Sequence, residues 1–157
     1  MPRRRRGPEP EPPPPPVPVP PGDLPLIKVV GVSGSGKSTL VRGLRQAGYH
    51  ARPISQEHSN IPDLWRQFEP PALLVYLNVT PAAQQARRPD VTWTEIAHRD
   101  EVQRLRHAWE HADLRIDTSD LSPASVLDLA LTYLRKQRVR HAPGPLIDIP
   151  ATGSAER

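Results

Sequence analysis

Residues 31–38 read GVSGSGKS, which sets three glycines ahead of a lysine and a hydroxyl. Glycine at Gly31, Gly34 and Gly36 lets successive amide N–H groups turn toward one point with no Cβ in the way. An anion held there meets Lys37, whose ammonium can reach the β and γ phosphates of a nucleotide. It also meets Ser38, whose hydroxyl is a hard oxygen ligand suited to magnesium. Ser33 and Ser35 stand between the glycines, and Thr39 serves either the α phosphate or the start of a helix. Every position fits the spacing G-x-x-x-x-G-K-[ST]. The chemistry implied is the holding of ATP or GTP together with Mg²⁺.

Such a loop works only if a buried strand enters it and a helix leaves it. Residues 26–32 are a near-continuous apolar run, the pattern of a strand covered on both faces of a parallel sheet. From about Lys37, Leu40, Val41 and Leu44 share one helical face, and Gly48 suits the C-terminal cap. A weak strand follows over 50–54, demoted by Pro53, then one or two helical turns over 62–68. The segment 72–79, ALLVYLNV, predicts a second strong strand. Thr80 and Pro81 cap a short helix through Arg88, which Pro89 stops. Thr92, Trp93, Thr94 and Glu95 form a capping-box pattern. The helix it opens carries Ile96, Val102, Leu105, Trp109 and Ala112 at helical spacing. A short strand at 114–117 and a last helix from Ser122 and Pro123, with Val126, Leu127, Ala130, Leu131 and Leu134 inward, complete the alternation. It predicts an α/β fold: a three-layer arrangement with a parallel sheet of about four to five strands flanked by helices.

Composition sets the limits of that domain. Of the 22 prolines in 157 residues, 12 precede Leu26, so 1–25 is expected to be an extended, disordered Pro/Arg-rich tail. From about Arg138 onward the prolines and glycines carry no helical or strand period, and 138–157 is expected to be mostly disordered. The domain is then 26–137. Between Leu26 and Leu134 there are 12 Lys or Arg and 12 Asp or Glu, so the core is formally neutral. The net charge of +4 arises from Arg3, Arg4, Arg5 and Arg6 and from Arg135, Lys136, Arg138 and Arg140. Basic ends of this kind imply weak, non-specific contact with nucleic acid through the tails, not a shaped recognition face. There are no cysteines, no apolar run of membrane-spanning length and no secretory h-region. The expectation is a cytoplasmic protein with no membrane partner.

The 31–38 loop, the VYLNVTP segment, the Arg87 and Arg88 pair and the segment ADLRIDTS at 112–119, in that order, resemble the small P-loop kinases. That group includes the adenylate, shikimate and gluconate kinases. The resemblance implies a sheet ordered 2-3-1-4-5, with ALLVYLNV as the fourth strand. It also implies that Arg87 and Arg88 are lid arginines closing over the phosphates. Asp117 and Thr118 match the loop that packs near the nucleotide base. The acid that orients an acceptor ends the second strand in several of these families. Here that place reads Ser55-Gln56-Glu57-His58-Ser59, which makes Glu57 the candidate base or metal-linked carboxylate and His58 the second choice.

Two departures stand out. No apolar strand ends in a Walker B aspartate, since ALLVYLN ends in Asn78, and one strand of the family pattern is missing. The expected function is therefore an ATP-dependent kinase-like transfer of the γ-phosphoryl group to an unidentified small-molecule acceptor, a metabolite or a nucleotide. The alternative is a nucleotide-binding regulatory or adaptor module without turnover. The guanine motif N-K-x-D and the switch D-x-x-G are absent, which disfavours a GTPase. His107 and His111 have the spacing of a paired metal site but are read as a solvated face. Trp65, Trp93 and Trp109 are read as core. The PPPPPVPVPP run is read as passive chain.

Overall fold

The computed structural model describes residues 23–92 and 94–146. Four parallel strands form one sheet: β1 (Leu26–Gly31), β2 (His50–Pro53), β3 (Leu73–Asn78) and β4 (Leu114–Asp117). Their order is β2-β1-β3-β4, with Leu26 opposite His50, Val29 opposite Val75 and Leu77 opposite Ile116. The expected order 2-3-1-4-5 becomes this one when its second or third strand is dropped. β3 accordingly lies on the side of β1 away from β2, as ALLVYLNV was expected to.

Two apolar layers hold the sheet. On one face Leu40, Val41 and Leu44 of α1 (Lys37–Gln46) and Val126, Ala130 and Leu134 of α5 (Pro123–Lys136) pack on Ile27, Val29, Val75 and Leu77. On the other, Trp65, Leu105 and Ala108 cover Val30, Leu74 and Tyr76. Each such aliphatic side chain contributes about 1.5–3 kcal/mol by leaving water. Lys28 interrupts the apolar run of β1, and its buried ammonium donates to the Gln67 carbonyl at 3.2 Å. Burial is the main cause that holds its pKa below the usual lysine range.

The helix starts follow the caps the residues supply. Thr80 Oγ1 accepts from the Ala83 amide to open α2 (Pro81–Arg87), and Ser122 Oγ accepts from the Ser125 amide to open α5. α1 ends with Gly48 at φ 93°, the Gly48 amide donating to Arg45 and the Tyr49 amide to Leu44. The capping box does not form as expected. α3 (Glu95–Arg104) is capped by Thr94, whose hydroxyl accepts from Ala97, so Glu95 is the first helical residue and not the reciprocal partner.

The inward face of this helical stretch also differs. Leu105 breaks it into α3 and α4 (Arg106–His111), and the packed side chains are Glu101, Leu105 and Ala108. Ile96, Val102 and Trp109 are exposed, Trp109 by 50 % with the Arg115 guanidinium over its ring. Ranking residues by apolarity hid a stripe that contains a carboxylate. Trp65 is core as expected, whereas Trp93 lies outside the described residues. His107 is not simply solvated, because its Nδ1 accepts from Trp65 Nε1 at 3.0 Å.

Packing continues past the expected boundary at 137. The Ala142 amide donates to Gly48 and the Leu146 amide to Arg45, and both side chains are buried. Two isolated apolar residues do this work, so no period marks it. Residues 1–22 and 147–157, where most of both expected tails fall, lie outside the described residues.

His50 supplies a test of this packing. Its ring is buried, and burial, then the Arg52 charge, hold its pKa below 6.5, with Arg45 adding to the shift. Unfolding frees the ring to take a proton that it does not hold in the fold. Stability from this group is therefore complete above pH 6.5 and falls as pH drops below it, by at most about 1.4 kcal/mol per pH unit. Urea melts at pH 7.5 to 5.5 should show a steeper loss for the natural chain than for His50→Gln. Equal slopes would contradict the burial of a neutral ring.

Candidate functional site

The 31–38 loop begins at the end of β1, where there is no room for a side chain on Gly31. A Cβ there would press into the Leu77 carbonyl and lie 2.7 Å from Ser35 Oγ. Gly34 at φ 77° and Gly36 at φ 99° take the left-handed backbone that the turn needs. Gly36 is the residue before α1, and nothing stands within 4 Å of where its Cβ would be. The Ser35 amide donates to the Val32 carbonyl at 3.1 Å and closes the turn. Among the described residues, the amides of Gly34, Gly36, Lys37 and Ser38 have no acceptor. They stand at the N-terminus of α1, where the helix dipole favours an anion. Ser38 and Thr39 are exposed at this mouth.

Lys37 folds back over the loop. Its ammonium donates to the Gly31 carbonyl at 2.9 Å and the Val32 carbonyl at 3.3 Å, and it forms an ion pair with Glu57. Glu57 sits in a 3₁₀ turn, Gln56–His58, just past β2. It is only 3 % exposed, and among the described residues its Oε1 has no partner. Gln56 fixes this turn from within. Its Oε1 accepts from the Trp65 amide, and its Nε2 donates to the carbonyls of Ile61 and Arg104. The His58 ring is half exposed, 3.9 Å from a Glu57 oxygen and 4.0 Å from a Glu101 oxygen.

Sequence reasoning missed Glu101 and Gln84. Glu101 is 4 % exposed on α3, and its carboxylate accepts from the Ser33 amide at 3.1 Å and from Ser33 Oγ at 2.5 Å. Gln84, fully buried on α2, donates to the Ser33 carbonyl at 2.7 Å and to Glu101 at 3.3 Å. The signal for Glu101 was its place four residues before Leu105 and seven before Ala108, on one helical stripe. Gln84 had no comparable signal. Tyr76 lies beneath both acids, and burial, with Glu101 and Glu57 adding to it, pushes its hydroxyl up to about 12. It stays a neutral phenol at physiological pH.

The opposite rim is held by Arg87 and Thr118. Arg87 donates to the Gly34 carbonyl at 2.8 Å, to Thr118 Oγ1 at 3.0 Å and to the Thr118 carbonyl. Buried Thr118 donates its hydroxyl to the Ser35 carbonyl at 2.8 Å. Asp117 accepts from the Ser119 amide at 2.9 Å, and its hydrogen bonds to Ser119, aided by the Arg87 charge, hold its carboxyl below the usual range. Arg88 is not brought to the loop but pairs with Asp90 at 3.5 Å on the surface. Beside this rim a pocket of about 280 Å³ opens between the loop and the start of α5. Gly36, Thr39, Arg87, Thr118, Leu121 and Val126 line it. The arrangement is a ring of free amides and one cation, with a buried carboxylate on one side and a part-apolar pocket on the other.

Removing the Glu101 carboxylate leaves Ser33 and Gln84 without their shared acceptor. Glu101→Ala should cost about 2–3 kcal/mol in urea unfolding, and Glu101→Gln, which keeps an acceptor oxygen, clearly less. Equal losses, or none, would show that this carboxylate does not hold the loop.

Comparison with known proteins gives no family assignment, since no family model matches the chain and no curated protein matches it significantly. Among the described residues no helix is long and apolar enough to cross a membrane.

Proposed function

We propose that this chain is a P-loop kinase-like protein that binds ATP or GTP with Mg²⁺ in the 31–38 loop and transfers the γ-phosphoryl group to a small metabolite or nucleotide. One observation carries the reading. Four free amides, at Gly34 and at the three successive residues Gly36, Lys37 and Ser38, stand at a helix N-terminus beside a lysine ammonium. That is the donor set a polyphosphate needs. The base would enter the pocket lined by Thr118, Leu121 and Val126; of the two residues the resemblance set near the base, Thr118 lines this pocket and Asp117 does not.

In this reading Lys37 exchanges Glu57 for the β and γ phosphates, and the exchange frees the Glu57 carboxylate. Glu57 then takes the proton of the acceptor hydroxyl as its oxygen bonds to the γ phosphorus. The bond from that phosphorus to the bridging oxygen breaks, and the nucleoside diphosphate leaves. Arg87 steadies the loop through Gly34 and lies within the pocket rim, where its charge opposes that of the phosphates. The residues present suit the metal as well. Ser38 offers an exposed hydroxyl, a hard oxygen of the kind magnesium takes beside phosphates and waters. Bound there, Mg²⁺ would supply neutralising charge to the phosphate oxygens. Most of the rate gain comes from positioning and charge neutralisation.

A second reading, a nucleotide-binding module without turnover, is favoured by Asn78. β3 ends on this amide, which brings no negative charge to a magnesium-water shell.

Lys37→Ala should weaken magnesium-ATP binding by about 100-fold or more in calorimetric titration. Unchanged affinity would overturn the assignment. Glu57→Gln should keep or tighten nucleotide binding, because it releases Lys37, while acceptor-dependent ADP release falls by about 100-fold or more. Full retained turnover would remove Glu57 from the chemistry. Tight ATP binding by the natural chain, with no release across a library of metabolites and nucleotides, would establish the module instead.

A further inference from the structure

Part of the excess positive charge lies at the end of α5 and just after it, at Arg135, Lys136, Arg138 and Arg140. Arg140 donates to the Asp23 carbonyl at 3.3 Å, which ties the chain just before β1 to the segment after α5. A pocket of about 470 Å³ lies at this junction, lined by Leu24, Tyr49, Arg135, Arg138, Arg140 and His141 among others. It borders the N-terminal edge of the sheet, near Leu26, whereas the 31–38 loop leaves the C-terminal edge. Arg135, Lys136, Arg138, Arg140 and His141 are all exposed, and among the described residues none has a carboxylate partner. His141 is held at the rim by its ring against Tyr49, with centroids 4.8 Å apart.

The backbone adds a second observation. α5 ends in the same closure as α1: the Arg138 amide donates to Arg135 and the Val139 amide to Leu134. In α1 the left-handed position of that closure is Gly48, the residue suited to it. In α5 the position is Arg138, at φ 56°, where an L side chain is disfavoured. The helix dipole accounts for cations in the last turn, Arg135 and Lys136. It does not account for Arg138 and Arg140 beyond that turn, nor for a guanidinium placed where glycine would sit without strain.

We propose that this face binds the phosphodiester backbone of nucleic acid, without reading its sequence, at a site separate from the 31–38 loop. Guanidinium groups match phosphate oxygens in pairs, and three of them ring one pocket. Lys136 and His141 stand exposed beside these three arginines, so the charge is spread over more groups than a single small anion can meet and suits an extended polyanion. A lipid surface fits less well. Among the described residues none of the exposed large apolar side chains, Phe68 and Trp109 included, borders the pocket to enter a bilayer. The site stands whether or not the 31–38 loop holds a nucleotide.

The test is fluorescence anisotropy with the full chain and labelled mixed-sequence oligonucleotides, single-stranded and duplex, between about 50 and 200 mM salt. Binding should weaken linearly on a log–log salt plot. The combined variant Arg135→Gln, Arg138→Gln and Arg140→Gln should bind about 10-fold or more weakly, with a duplex slope shallower by about 3. Arg138→Gly alone, which relieves the strained backbone and so keeps the fold, should also weaken binding, with its melting temperature unchanged or raised. A folded combined variant that binds like the natural chain would overturn the proposal, as would unchanged binding by Arg138→Gly should the combined variant not fold. Stronger capture by phosphatidylserine vesicles than by either oligonucleotide would also overturn it, in favour of a membrane surface.

Discussion

Ser33 donates its amide and its hydroxyl to one buried carboxylate, Glu101, which lies 68 residues further along the chain. This contact sets the shape of the 31–38 loop more than any local preference does. Glycines permit the turn without choosing among the turns they permit. Glu101, Gln84, Arg87 and Thr118 make the choice by binding Ser33, Gly34 and Ser35 from outside the loop. These bonds use the loop carbonyls and the Ser33 amide and hydroxyl, and with the Ser35 amide turned to Val32 they leave the amides of Gly34, Gly36, Lys37 and Ser38 without an acceptor among the described residues. A loop shaped in this way is ready for an anion before one arrives, so little ordering cost falls on binding.

The same region keeps its charges in balance without a ligand. Lys37 is satisfied by two carbonyls and Glu57, and so it does not stand bare in a part-buried site. Glu57 is less well served, because one of its oxygens has no partner. A buried carboxylate half satisfied is costly unless something else completes it. An incoming magnesium phosphate, or an acceptor hydroxyl, would complete it. In the proposed function the Lys37 and Glu57 pair is a resting arrangement that a bound polyphosphate would replace.

Much of this was legible in the sequence, for physical reasons that differ from element to element. The loop glycines, the apolar run of β1 and the Thr80 and Ser122 caps each rest on local stereochemistry, and local stereochemistry is written in adjacent residues. Glu57 was singled out through the resemblance to the small P-loop kinases, several of which end the second strand in an acid, and it sits just past β2. The misses are contacts made at long range. Glu101 was hidden by the habit of reading Ile96, Val102 and Trp109 as the packed side, when one carboxylate bonded to a distant loop outweighed them. Ala142 and Leu146 pack on the end of α1 with no periodic pattern, so nothing in 138–146 announced it. Charge was counted correctly by segment, but a count along the chain does not reveal that Arg135, Arg138 and Arg140 ring one pocket closed by the bond of Arg140 to Asp23.

The central claim is that the free amides of the loop receive a polyphosphate. Amide nitrogen-15 spectra recorded while magnesium-ATP is added test it most directly. The account predicts that the largest downfield proton shifts fall on Gly34, Gly36, Lys37 and Ser38, with smaller changes at Thr118 and Val126. Shifts gathered elsewhere, with these four amides unmoved at saturation, would contradict it.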